Sequence, residues 1–234
     1  MLKKGDILAE VVDYYSEDCS SVKIRLDPLL TPAQNAQKYY KDYRKMQAAE
    51  QHLSELIEQG KCELEYIDSV LDMLSRAESE RELAEIRQEL TDEGFIKKRK
   101  APAGKQPPKL PPLRFVSDDG FTILVGRNNQ QNDRLTLKES KNYDIWLHTL
   151  NVPGSHTVIV CEGQQPPNRT IEQAAQIAAY HSGARQSGLV AVDYTLIKYV
   201  SKPRGAKPGM VIYTHQNTIY VHPDEQLAER LTGQ

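Results

Sequence analysis

Four polar segments in the second half of this 234-residue chain combine residue types suited to gripping an anion. Gly126-Arg127-Asn128-Asn129-Gln130-Gln131-Asn132-Asp133-Arg134 offers amide donors and acceptors together, fit for base edges, sugars or phosphate oxygens. The same composition also makes a solvated loop and helix cap. Asp144-Ile145-Trp146-Leu147-His148 places the chain's single Trp beside a His at a strand end, where a ring either stacks on a base or sits in the core. Val152-Pro153-Gly154-Ser155-His156 is either an ordinary Pro-Gly turn or a backbone nest for an anion, with imidazole adding a donor. In Lys198-Tyr199-Val200-Ser201-Lys202-Pro203-Arg204-Gly205-Ala206-Lys207-Pro208-Gly209, four cations fall within ten residues. Proline stiffens that loop and glycine opens it, so a phosphate clamp is the leading reading there.

The candidate contacts to an RNA-like partner are therefore Arg127, Asn128, Asn129, Asn132, Asp133, Trp146, His148, Gly154, Ser155, His156, Lys198, Lys202, Arg204 and Lys207. Catalysis is poorly served by the same residues. His148 and His156 straddle a turn, yet no cysteine or carboxylate cluster completes a zinc site. GxSxG, P-loop and GxGxxG motifs are missing, and the adjacency of Ser155 and His156 does not orient a nucleophile towards a base. The expectation is a binding module with no metal and no cofactor.

The elements that must position these segments read as an α+β domain over residues 114–234. Arg114–Val116 and Phe121–Val125 flank the turn Asp118-Asp119-Gly120. Strands are expected at 145–149, 156–160, 189–193 and 195–200, and a last hairpin joins 210–215 to 218–222. Thr170-Ile171-Glu172-Gln173 has the pattern of a capping box. It would open a helix whose alanine face (Ala174, Ala175, Ala178, Ala179) lies close on a sheet and which Gly183 ends. Residues 128–140 suit a second helix.

The first half is different in kind. Short β-favouring runs at 7–15 and 22–26 suggest a small hairpin within residues 1–30. Thr31-Pro32-Ala33-Gln34 then opens a helix, and from Ala36 to Leu74 an alternating 3-4 spacing is filled mostly by apolar residues and tyrosine, broken at Glu50 and Gly60. At 1.5 Å per residue this coiled-coil strand would run for about 65 Å. The short helix expected at 78–92 is too brief to cover it, so residues 31–96 form an arm whose partner is either a second copy, giving a homodimer, or a strand upstream of Met1.

Charge follows this division. Residues 1–100 carry 16 Lys and Arg against 21 Asp and Glu, whereas residues 101–234 carry 14 against 11. Between the halves, the basic, proline-rich segment 97–113 reads as an extended tether, solvated or in contact with phosphates. Three widely spaced cysteines favour a reducing compartment. With no signal peptide or membrane-spanning stretch, cytoplasm is the expected location and no membrane partner is expected.

The polar segments, in this order, resemble the RNA-binding R domain of the NFACT family. The upstream run Leu26-Asp27-Pro28-Leu29-Leu30-Thr31-Pro32-Ala33-Gln34 resembles the middle region of its bacterial members, entering the second strand of their coiled coil. The resemblance implies a role in ribosome quality control. Such proteins bind large ribosomal subunits blocked by peptidyl-tRNA, through rRNA or tRNA, and bring in alanyl-tRNA so that the stalled chain receives an alanine tail. Peptidyl transfer then belongs to the ribosome. Some members carry a fibronectin- or fibrinogen-binding label, so a surface adhesin fragment with fibronectin as partner is the alternative. The family's N-terminal domain, helix-hairpin-helix segment and first coil strand are expected to lie outside this sequence. Asn142-Tyr143-Asp144 departs mildly from the family pattern.

Overall fold

The computed structural model describes residues 2–97 and 109–232, so most of the expected linker lies outside the described residues. The chain forms two compact units, Met1–Gly60 and Lys61–Gln234.

In the first unit, β1 (Leu8–Val12) and β2 (Ser21–Arg25) pair antiparallel with Val11 opposite Val22. Helix α1 (Pro32–Arg76) follows. Its entry is the expected capping box: the Thr31 amide donates to Gln34 Oε1 at 2.8 Å and the Gln34 amide to Thr31 Oγ1 at 3.2 Å. Proline at the first helical position wastes no amide. The helix passes Glu50 and Gly60 without a break. Its heptad residues Tyr39, Tyr43, Met46, Leu53 and Ile57 are exposed.

The second unit begins with the last turns of α1. Tyr66, Val70 and Met73 recur at helical spacing and are buried against Ile86 of α2 (Glu80–Asp92). This is a second apolar face on α1, distinct from the heptad row through exposed Leu64, Leu71 and Leu74. Burying each of Val70, Met73 and Ile86 contributes about 1.5–3 kcal/mol. A full capping box between Ser79 and Glu82 starts α2.

The rest of the unit is a six-stranded antiparallel sheet in the order β10-β7-β5-β6-β4-β3. Its strands are β3 (Leu113–Val116), β4 (Thr122–Val125), β5 (Ile145–Thr149), β6 (Thr157–Val160), β7 (Val190–Leu196) and β10 (Asn217–Val221). One face packs on α4 (Asn168–Tyr180) and α5 (Glu225–Leu231), with Ile145, Leu147, Ile159 and Val192 meeting the alanine face of α4 and Leu227 and Leu231 of α5. On the other face Trp146 and Val158 meet Leu135, Ile197 and Val200. Strand alternation alone sends Ile145 and Leu147 one way and Trp146 the other.

Several expected elements change. The segments 189–193 and 195–200 are one strand, β7, then a 3₁₀ turn (Ile197–Tyr199) and β8 (Val200–Ser201). Within β7 the buried Asp193 carboxylate accepts from Thr218 Oγ1 at 2.6 Å and Tyr213 Oη at 2.9 Å. Instead of a closing hairpin, β9 (Ile212–Tyr213) pairs with β8, and β10 crosses to β7. Helix α4 starts at Asn168, straight after Pro167, so Thr170 and Gln173 do not form a cap. Their side chains hold the β3–β4 turn through Asp119 and Asp118. The expected helix over 128–140 is α3 (Asn129–Arg134) continued by a π-helical turn (Leu135–Glu139). Helix α5, capped by Asp224, has the signal of Leu227, Ala228 and Leu231 on one face and was not foreseen.

Candidate nucleic-acid interface

The first polar segment folds as the turn between β4 and α3 and docks on α2. Glu82, Glu85 and Glu89, spaced three and four apart, share one face of α2. Glu82 takes the Arg127 guanidinium at 2.5 Å, Glu85 the Asn128 side-chain amide at 2.8 Å, and Glu89 the Gln130 backbone amide at 3.1 Å. Asn128 also caps α3, accepting from the Gln131 amide at 2.8 Å. Asn129 donates to Ser69 Oγ of α1 at 2.8 Å. Burial disfavours charge on Glu82, but hydrogen bonds from the Glu78 and Ser79 amides, the Ser79 hydroxyl and Arg127 outweigh it and hold its pKa low. Burial wins at Glu89, whose pKa is raised despite the Gln130 amide and the Tyr66 hydroxyl at 3.0 Å.

The third segment forms the turn before β6. His156 is buried, with Nδ1 2.8 Å from Thr136 Oγ1 and Nε2 3.1 Å from the Gly209 carbonyl. A carbonyl only accepts, so Nε2 carries the proton and Nδ1 accepts from Thr136. Desolvation, then the nearby His148, pulls the His156 pKa down to about 3, keeping the ring neutral. Asn132 Oδ1 accepts the His156 amide at 3.1 Å, while its Nδ2 is buried and lacks a partner among the described residues. Ser155 accepts from Arg76 at 3.3 Å, and Gly154 packs so closely on Thr149 and Ser182 that a Cβ would sit 2.8 Å from Thr149 Oγ1.

Trp146 is buried, its ring 5.7 Å from and nearly parallel to His148 and 4.8 Å from Tyr213. Trp146, half-buried His148, Gly154, His156, Asn129 and Gly209 line an open cleft of about 500 Å³ whose other wall includes Glu65, Asp68 and Ser69 of α1. The Trp146 Nε1–H is buried without a hydrogen-bond partner among the described residues.

The fourth segment spreads its cations. Lys202 is paired with Asp133, whose other oxygen accepts the Gly209 amide at 3.0 Å. Lys207 reaches Glu93 at 3.1 Å and lies over the Phe95 ring at 5.1 Å. Lys198 and Arg204 are exposed and have no acidic partner among the described residues. The structure thus gathers Asn129, Trp146, His148, Gly154 and His156 at one cleft, engages Arg127, Asn128, Ser155 and Lys207 with the helical pair, and leaves Lys198 and Arg204 facing solvent. The acidic face of α2, which organises the docking, was missed from sequence; the three-four spacing of its glutamates was the available signal. Among the described residues, no group of three or more His, Cys, Asp or Glu could hold a metal, and no helix is long and apolar enough to cross a membrane.

Residues 1–109 match the NFACT N-terminal and middle domains, and residues 112–215 match the NFACT protein RNA binding domain. The chain is 45% identical to the Rqc2 homolog RqcH of Bacillus subtilis over 99% of its own length and 40% of that protein's. It is 42% identical to the Streptococcus suis Rqc2 homolog RqcH, over 95% of this chain and 42% of that one. The chain therefore spans about two fifths of the length of these relatives. The solved C-terminal part of the fibronectin/fibrinogen-binding protein from Streptococcus suis superposes with a TM-score of 0.80 at 42% identity, covering 86% of this chain and 80% of that one. Sequence match and shared fold agree: the chain belongs to the NFACT family.

Proposed function

We propose that this chain is the RNA- and ribosome-binding part of a ribosome quality control factor. In that role it would engage large subunits blocked by peptidyl-tRNA and support alanine tailing, with peptidyl transfer left to the ribosome. The observation that carries the reading is the match of residues 112–215 to an RNA-binding domain within a chain similar throughout to RqcH proteins. The candidate residues fall into three groups. Lys198 and Arg204, with His148 at the cleft, would meet RNA. Asn128, Asn129, Asn132, Asp133, Gly154, Ser155 and His156 would fix the loops, and Arg127, Lys202 and Lys207 would hold the frame through their acids. Location on ribosomes in the cytoplasm follows from the same reading.

Co-sedimentation with purified 50S subunits across a potassium chloride series tests it. Binding should weaken steeply as salt rises, because cations that neutralise phosphates release counterions. Binding to neither 50S subunits nor tRNA, or binding insensitive to salt, would overturn it.

The likeness to the Streptococcus suis protein favours a second reading, a fibronectin-binding adhesin. Capture by immobilised fibronectin that survives raised ionic strength would support it; loss at modest salt would reduce it to charge attraction. The exposed heptad row of α1 supports pairing with a second copy of the chain. Sedimentation equilibrium at several concentrations tests that, and a monomer mass throughout would contradict it.

A further inference from the structure

A second polar surface, outside the residues lining the cleft, lies where three neighbouring strands end together. In the sheet order β10-β7-β5, Ile145 at the start of β5 lies opposite Leu196 near the end of β7, and Asn217 at the start of β10 lies opposite Tyr194. The segments just beyond these ends, 141–144, 197–199 and 214–215, therefore converge at one end of the sheet. Hydrogen bonds fasten them: the Ile197 amide donates to Asp144 O at 2.9 Å, the Lys198 amide to Asn142 O at 3.3 Å and the Thr214 amide to Tyr199 O at 3.2 Å.

Their side chains alternate cations and rings. Lys141 and Lys198 are exposed, and the Lys198 ammonium lies 4.8 Å above the Tyr199 ring. Tyr199 stacks on exposed His215, with centroids 4.3 Å apart and planes 23° from parallel. Tyr143, between the two lysine turns, is 49% exposed. None of these rings belongs to a hydrophobic cluster of the fold. The nearby acids do not offset the lysines. Asp144 is buried, accepting the Lys141 and Cys161 amides at 2.7 and 2.9 Å; Asp193 is closed by Thr218 and Tyr213; Glu139 pairs with Arg134 at 2.8 Å. His215 holds a left-handed backbone (φ 56°), and that turn presents its ring beside Tyr199.

We infer that this strand-end surface binds unpaired RNA, with Tyr143 and the Tyr199–His215 stack taking bases and Lys141 and Lys198 taking the flanking phosphates. The inference rests on the RNA-binding reading above and adds the surface and the strandedness of the ligand. Flat rings give every base a stacking face whatever its identity, and adjacent lysines track the backbone; a duplex hides its base faces and offers only phosphates.

Fluorescence anisotropy with a labelled ten-nucleotide oligo(U) and a matched RNA duplex, run beside 50S co-sedimentation, tests this. The whole chain should bind oligo(U) more tightly than duplex. Tyr199→Leu and Tyr143→Leu should each weaken oligo(U) binding about tenfold. The Lys141→Gln/Lys198→Gln double variant should lower the salt slope by about 1.4, the loss of two phosphate contacts on a single strand. Arg185→Gln, at the opposite end of the sheet, should bind like wild type, and circular dichroism checks folding. Unchanged oligo(U) binding in folded patch variants overturns the inference, while retained 50S binding leaves the broader reading standing. Patch variants that lose 50S binding when the wild type has no affinity for oligo(U) would mean that a protein occupies this surface, which also overturns it.

Discussion

Arg127, in the turn between β4 and α3, and Glu82, in the first turn of α2, close an ion pair at 2.5 Å, and the Arg127 Nε donates to the Pro111 carbonyl at 2.9 Å. One arginine thus joins the sheet domain, the chain entering it and the acidic face of α2. Both partners are largely screened from solvent, so the pair differs from a surface bridge worth almost nothing. Glu82→Ala should destabilise the Lys61–Gln234 unit by roughly 1–3 kcal/mol, because Arg127 is left with an unpaired, partly buried charge. Urea denaturation measures this, and a double-mutant cycle with Arg127→Ala should return a coupling of the same sign.

Glu89 gives a sharper contrast. Its two oxygens separately accept the Tyr66 hydroxyl and the Gln130 amide in a buried setting. Glu89→Leu orphans both donors and should cost about 2–4 kcal/mol. Glu89→Gln keeps an acceptor for Gln130 and gives Tyr66 a donor to accept from, so it should cost far less. Since burial raises the folded pKa of Glu89, its ionisation opposes folding: its contribution is best below the unfolded pKa and lost as pH rises through the folded one. The Gln variant should therefore be less sensitive than wild type to a rise in pH through the weakly acidic range.

His156 sets the opposite dependence. Its folded pKa, about 3, lies below that of a free imidazole, about 6.5, so the unfolded chain takes up a proton that the native state refuses. The stability it contributes is full above pH ~6.5 and falls as the solution is acidified towards 3, by up to about 1.4 kcal/mol per pH unit. Denaturation midpoints at pH 7, 5 and 4 should show this decline, with a shallower slope in His156→Asn.

Gly209 has φ 78°, and an added Cβ would run into the Asn129 side chain. Gly209→Ala should lower the melting temperature and loosen the cleft, since Asn129 would have to leave Ser69. Amide hydrogen exchange across 205–213 should rise in this variant.

Legibility from sequence followed the range of the interactions. The entry to α1 was readable because Thr31, Pro32 and Gln34 act within one turn. The β3–β4 hairpin and the alanine face of α4 were readable for the same local reason. What failed depended on distant partners. Thr170 and Gln173 look like a cap, but Asp118 and Asp119, some fifty residues earlier, claim their side chains. Strands 189–193 and 195–200 read as two, but β7 joins them, and Tyr213 and Thr218, which satisfy the buried Asp193 within it, lie some twenty residues on. In the site, the polar segments were visible as composition. Which cations remain open to a ligand was not, because Lys202, Lys207 and Arg127 find their acids only in the folded unit.

Photo-crosslinking on 50S subunits reports RNA contact by the exposed cations, with a photoreactive residue replacing Lys198, Arg204 or, as control, Arg185. Positions 198 and 204 should give rRNA or tRNA adducts that disappear at high salt, and position 185 none. Adducts confined to ribosomal proteins, or equal yields at all three positions, would rule out RNA contact through Lys198 and Arg204.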